Sequence, residues 1–492
     1  MYTFIFSILA LVAGYIFYGT FIEKVFGVDP SRKTPAYTMQ DGVDFIPIPT
    51  WRVFLIQFLN IAGTGPIFGA ILGVLYGPAA YLWIVLGCIF GGAVHDYLAG
   101  VISLRKHGVS LPEIIGGELG KTARHFMNSI SIVLMILVGA VFSTTPAGLL
   151  SNMTADWGVC GTTVFWIIVI MVYYFLATLL PISKLIGRIY PAFGLAILVM
   201  CVGVFVGIFT HEGCMPEITD AFTNHHPGST MPIFPGICIT IACGAVSGFH
   251  ATQSPLMARC LKNERLARPV FYGAMVTEGF VALIWAAASI KFANSLGAPG
   301  DTPYEQLFNV LTDNGAHTAN PALLVSALCN SWIGPVGGVL AILGVVFAPI
   351  TTGDTALRSG RLMLAEALHY RQDRFYKRII MAVPLFAGSI IVMLIDFQVL
   401  WRYFAWFNQT FSIFTLWAIT VWLAKRGKLY VVSLVPALWM TMVCLSYILV
   451  APEGLCMNAT TGILLSVVVT LYLLFHFMHR KRLLSKRFAH RA

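Results

Sequence analysis

Apolar residues along this chain come in runs of about 20, separated by short polar segments, which is the length a helix needs to cross a bilayer. Thirteen such runs can be drawn, over 2–22, 51–75, 79–104, 126–150, 161–181, 186–209, 236–260, 270–292, 335–362, 379–396, 398–423, 429–450 and 459–478. The pattern predicts an all-α polytopic membrane protein of about thirteen transmembrane helices, here called spans one to thirteen. A shorter apolar stretch, 321–333, is expected to form an external capping helix.

Composition narrows the reading. The chain is 58% apolar and 11% charged, against about 25% charged in soluble proteins, which excludes a soluble enzyme or a disordered chain. A net charge of +10 would suit nucleic acid only if the basic residues formed one patch. They are scattered between apolar runs, so no nucleic-acid partner is expected. Of 31 Lys and Arg, 29 lie on one side of this topology, in loops or at span ends. Lys291 and Arg402 are the exceptions, both at span ends where a long side chain can snorkel. The positive-inside rule then predicts an outside N-terminus and a cytoplasmic C-terminus carrying Arg480, Lys481 and Arg482. The first run has neither a basic leading region nor a clear small-residue cleavage site, and is expected to be a retained span.

Two spans are interrupted. Span two carries Gly63, Thr64, Gly65, Pro66 and Gly69 at mid-depth, and span seven carries Gly244, Ser247, Gly248, Phe249, His250, Gln253 and Pro255. Proline removes a backbone donor and glycine weakens a helix interior, so both spans are expected to break. Broken backbone is tolerated in lipid only where protein or a watery cavity receives it. Spans two and seven are five apart and run in opposite directions, as a five-plus-five inverted repeat requires, and paired interrupted spans point to a secondary transporter's binding site. The chain therefore divides into an N-terminal helix and cytoplasmic loop (1–50), a first five-helix repeat (51–209), an external loop (210–235), a second repeat (236–424, with an external segment 293–334), and two peripheral helices with a basic tail (425–492).

Ionisable residues inside spans are functional candidates. His95 and Asp96 in span three can hold or relay a proton, the rival role being a structural ion pair. Thr351, Asp354 and Thr355 share one face of span nine beside Thr352, offering hydroxyls and a carboxylate to a hard cation or a proton. The rival there is an Asp354–Arg358 pair one turn apart. Gly63, Thr64, Gly65, Pro66, Ser247, Gly248, Phe249, His250 and Gln253 are the candidate solute-binding residues. Glu278, Asn408 and Gln409 are weaker inward candidates. His211, Glu212, Cys214, His225 and His226 show no recognised metal spacing and read as a solvated loop. Cys160, Cys214 and Cys456 fall in predicted external loops, where a disulfide is permitted but its pairing is open.

The stretches Gly63-Thr64-Gly65-Pro66 with Gly69, Gly91 to Asp96, Thr240 to His250, and Thr352 to Ser359 resemble the carbon starvation A (CstA) family of bacterial membrane transporters. The resemblance covers positions 60 to 360. It implies a LeuT-like inverted repeat of the amino acid–polyamine–cation (APC) superfamily, and import of peptides or pyruvate during nutrient limitation. Both solutes carry a carboxylate, which suits the exposed amides at the start of a half-helix. The expectation is a secondary active transporter of the bacterial inner membrane, importing a small carboxylate solute with a coupling ion. A proton is expected there, with sodium as the alternative. No cofactor, resident metal or enzymatic activity is expected, and no phosphate-binding G-x-x-x-x-G-K-[ST] loop is present. A rival of another class is a membrane sensor that has kept a transporter fold.

Overall fold

The computed structural model describes residues 1–180, 186–228, 231–315, 319–395 and 397–489. Pro181 at the end of span five, and Lys184 and Arg491 among the orienting cations, lie outside the described residues. Among the described residues every regular element is helical.

Nine helices among the described residues are long and apolar enough to cross a membrane: Tyr2–Phe26, Ala79–Arg105, Lys121–Ser151, Pro191–Thr210, Glu264–Ser295, Pro335–Ala367, Phe375–Val392, Val431–Val450 and Ala459–Arg482. Two bent pairs bring the number to 11: Thr50–Ala62 with Gly65–Tyr76, bent by 44°, and Ala155–Gly161 with Thr163–Leu179, bent by 54°. These are the predicted spans one to six, eight to ten, twelve and thirteen. Span eleven is the helix Phe397–Lys425. Span seven is two short helices, Ile233–Thr240 and His250–Ala258, separated by non-helical backbone. The chain is thus a multi-pass helical membrane protein, and the stretch 321–333 is a separate short helix, Pro321–Ile333.

Burial sorts the helices into layers. In Ala79–Arg105 89% of the apolar window is buried and in Glu264–Ser295 83%, whereas Tyr2–Phe26, Phe375–Val392 and Ala459–Arg482 bury 28%, 28% and 22%. The last three carry few polar groups that need protein partners, so their outer faces can be left to lipid. Spans one, ten and thirteen are the least buried of these helices, while span twelve, Val431–Val450, has 56% of its window buried.

The two breaks have local causes. Gly63 ends the first half of span two at φ +50° and ψ −137°, a conformation an L side chain resists, and Pro66 opens the second half, where its missing donor costs nothing. In span seven, Gly244 takes φ +90°. Around these segments pack span three, span eight, span nine and span eleven. Span three approaches through a π-helical stretch, Gly87–Gly92. A Cβ at Gly92 would collide with the carbonyl of Ala245, so the small residues set the distance between span three and the broken backbone.

The segment before span two is not a simple solvated loop. It folds back so that Asp44 is buried among the ends of spans five, seven and nine. That basic end of the bundle is closed by a set of ion pairs described below.

Candidate functional site

Three elements meet at the breaks: the start of Gly65–Gly73, the unwound stretch after Thr240, and span eleven at Asn408. They enclose a cavity of about 280 Å³. Gly65, Cys243, Phe249 and Asn408 form its inner wall, and Tyr76 and His226 lie along its reach towards the 210–235 loop. A Cβ on Gly65 would run into the Cys243 side chain, so this glycine lets the two broken spans touch.

Span eleven holds the unwound stretch in place. Asn408 Oδ1 accepts the Phe249 amide at 2.6 Å and the Ser247 hydroxyl at 3.1 Å. Gly248 packs against the span-eleven backbone so tightly that any side chain would collide there. Gln409 donates to the carbonyl of Cys238 at 3.2 Å. An amide freed by unwinding is costly in a dry interior unless it finds an acceptor, and Asn408 supplies one.

Of the residues expected to bind solute, Gly65 and Phe249 line the cavity. Ser247, Gly248 and His250 are buried in the wall behind, and Gln253 donates to Thr252 at 3.1 Å. Gly63, Thr64 and Pro66 form the break itself.

Behind the wall the structure unites residues that the sequence presented separately. His95 Nδ1 lies 2.8 Å from Asp96 Oδ1, and Asp96 Oδ2 lies 3.0 Å from His250 Nδ1. His250 Nε2 faces Glu278 Oε2 at 3.5 Å, while Glu278 Oε1 accepts the Gly244 amide at 3.1 Å. All four ionisable side chains are fully buried. The His95–Asp96 pair is therefore continuous with the break of span seven, and Glu278 ties span eight to its unwound backbone.

The span-nine group lies against the other break. Thr352 Oγ1 donates to the Leu59 carbonyl at 3.1 Å, near where span two stops being helical. Thr351 and Thr355 donate to carbonyls of their own helix. Asp354 is buried, and the Tyr174 ring packs against the adjacent Gly353. Arg358 does not serve Asp354: it donates to Asp44 at 2.9 Å and to the carbonyl of Leu180 at 2.6 Å.

Asp44 itself gave no chemical signal in the sequence beyond being an acid between Val43 and Phe45. Its second oxygen accepts from Arg361 at 3.2 Å, and beside it Arg259 pairs with Glu366 at 2.8 Å. Burial alone would push the Asp44 carboxyl up, but the guanidinium groups of Arg361, Arg358 and Arg259 reverse this and hold it well below the usual carboxylate range.

The loop histidines stand in aromatic stacks. His225 lies on Tyr304 with centroids 4.5 Å apart, His226 meets Tyr76 at 4.9 Å, and His211 lies on Trp332 at 5.1 Å. The three histidines are half-buried against these rings while Glu212 and Cys214 are exposed, and His226 reaches the cavity wall. Cys160, Cys214 and Cys456 are exposed free thiols. Among the described residues one group has the arrangement to hold a metal ion, Cys243, His250 and Glu278.

Comparison with known proteins places this architecture. The family described as carbon starvation protein CstA matches residues 1–165, 157–298 and 316–447. An uncharacterized membrane protein of Haemophilus influenzae is 44% identical over 338 residues, covering 59% of this chain and 91% of the relative. The peptide transporter CstA of Bacillus subtilis is 31% identical over 372 residues, 63% of this chain and 61% of the relative. The pyruvate/proton symporter BtsT of Escherichia coli is 31% identical over 348 residues, 58% of this chain and 48% of the relative. The chain thus spans about half to three-fifths of the length of these two named transporters. The fold is shared with a manganese transporter of Eremococcus coleocola, at a TM-score of 0.55 and 12% identity, over 90% of this chain and 99% of that one. Matched over most of its length, the chain belongs to the carbon starvation protein CstA family.

Proposed function

We propose that this protein is a secondary active transporter of the bacterial cytoplasmic membrane that imports a small carboxylate solute, pyruvate or a short peptide, together with a cation during nutrient limitation. The observation that carries this reading is the meeting of two broken spans at one cavity, Gly65 against Cys243. Unwound backbone at mid-span is tolerated only where protein or a watery cavity receives it, and paired breaks are where such transporters bind.

In this reading spans two to six and seven to eleven form the inverted repeat of a LeuT-like, APC-superfamily fold. The half-helix starting at Gly65 turns the positive end of its dipole, with the Gly65 amide, towards the solute carboxylate. Asn408 keeps the opposite wall in register, and the apolar lining takes the remainder of the solute. The basic end is cytoplasmic, so the Asp44 ion pairs close the inner side while the cavity extends towards the outside through Tyr76 and His226. Rocking one repeat against the other around the breaks then alternates access.

The coupling ion is a proton held by Asp354, whose neighbour Thr352 touches broken span two, so ion occupancy on span nine is linked to the shape of the solute site. The His95–Asp96 pair, the other candidate, is engaged in orienting His250. The hydroxyl and carbonyl oxygens around Thr352 and Leu59 also suit a hard cation, which keeps sodium as a second reading. Uptake of labelled pyruvate, dipeptides and tripeptides into proteoliposomes tests both. An inward proton gradient without sodium is expected to drive accumulation of one of these solutes. Accumulation only with sodium rejects the proton, and no accumulation of any solute under either gradient rejects the transporter reading.

A further inference from the structure

Cys243, His250 and Glu278 each offer one ligand-type atom, and these atoms lie within 4.8 Å of one another. The facing atoms His250 Nε2 and Glu278 Oε2 are completely buried and neither is in a hydrogen bond. The two atoms face each other at 3.5 Å, a separation that a cation held between them can bridge.

The surroundings prepare the imidazole for this. Its Nδ1 edge rests on Asp96 Oδ2 at 3.0 Å, and Asp96 Oδ1 is in turn held by His95 at 2.8 Å. A carboxylate accepting from Nδ1–H fixes the tautomer that leaves the Nε2 lone pair free, the arrangement found behind metal-bound histidines. Glu278 is oriented as well, its other oxygen accepting the Gly244 amide. Cys243 is on the cavity wall, so an ion has a route in.

We propose that Cys243, His250 and Glu278 form a binding site for a borderline-soft divalent cation of the Zn²⁺ class. A thiol, an imidazole and a carboxylate together suit Zn²⁺, whereas Mg²⁺ and Ca²⁺ prefer all-oxygen shells. Ligand atoms about 2.0–2.3 Å from a tetrahedral ion stand about 3.3–3.8 Å apart; His250 and Glu278 already meet this at 3.5 Å, and closing the cluster from its outer limit of 4.8 Å falls to Cys243. The thiol gives up its proton to bind, and the fourth position points to the cavity, open to water or to a carboxylate. The ligands come from two spans at no recognised spacing, which is why the sequence did not show them.

The test uses the purified full chain, stripped with chelator and titrated with Co²⁺ and Zn²⁺. One Co²⁺ per chain is expected, with the visible bands of a tetrahedral ion and a near-ultraviolet thiolate charge-transfer band, and Zn²⁺ should displace it. Cys243→Ser should remove the charge-transfer band and weaken Zn²⁺ binding at least about tenfold. Asp96→Asn should keep the band while weakening binding about 10–100-fold. In the unmodified protein Zn²⁺ should also protect Cys243 from N-ethylmaleimide, read peptide by peptide in a mass spectrometer. Absence of stoichiometric binding, absence of protection at Cys243, or a charge-transfer band that survives in a folded Cys243→Ser variant overturns the proposal. No transport is measured, so the result is independent of the uptake reading.

Discussion

Asp44 and Arg358, 314 positions apart in the chain, meet at 2.9 Å in the interior of the basic end, and Arg361 completes the cluster on the second carboxylate oxygen. One loop acid thereby pairs with two buried guanidinium groups on span nine, one on each carboxylate oxygen. Removing one member of a buried ion pair leaves the others charged and dry, at a cost of about 3–5 kcal/mol. Asp44→Ala should therefore lower the thermal midpoint of the detergent-solubilised protein by several degrees or prevent its accumulation. A midpoint equal to the parent's would show that the cluster contributes nothing.

The same carboxyl sets a pH dependence. Its folded pKa is depressed, so its stabilisation is fully present above the ordinary carboxylate pKa of about 3.9 and is lost as pH falls through the lower folded value. The difference in midpoint between the parent and Asp44→Asn should be constant across neutral and mildly acidic pH and shrink only in strong acid. A difference that already collapses near pH 6 contradicts the depressed carboxyl.

On span nine, Asp354→Asn should abolish cation-driven accumulation while leaving membrane insertion intact. Thr352→Val, which removes the donor to Leu59, should weaken the response to the imposed gradient more than it weakens exchange of solute. Unaltered gradient-driven uptake in the Asp354 variant would move the ion site elsewhere.

At the cavity, Gly65→Ala places a methyl group against Cys243, and overpacking of this kind costs about 1–3 kcal/mol. Solute affinity should fall, or the variant should be trapped without uptake. Binding and uptake at the parent level would separate the break from the solute site.

Asn408→Leu strips the acceptor from the Phe249 amide. An unsatisfied buried amide costs about 1–3 kcal/mol, and the loss should show as a lower thermal midpoint together with weaker solute binding. Asn408→Asp, which keeps the acceptor, should retain more of the binding; equal losses in both would point to packing alone.

Much of this was legible in the residues. The spans followed from apolar run length, and the breaks from Gly63, Pro66, Gly244 and Gly248, because backbone chemistry is local. His95, Asp96, His250 and Asp354 stood out because a polar group inside an apolar run is costly. What stayed hidden was contact between distant segments. Nothing near Asp96 announced that its second oxygen would serve His250, 154 positions later. Nothing near Arg358 showed that its acid lay in the first loop rather than one turn away on its own helix. Helix packing decides both. The half-burial of His225 and His226 was not legible because their partners, Tyr304 and Tyr76, are aromatic side chains from other elements.

Only five residues separate Asp44 from Thr50, where the first half of span two begins. So short a tether leaves little slack between latch and kinked rod. If the solute site works as proposed, unfastening the acid from its arginines would bear on the rod that ends at Gly63, and a solute that tilts the rod would bear on the latch, with no long relay through the bundle.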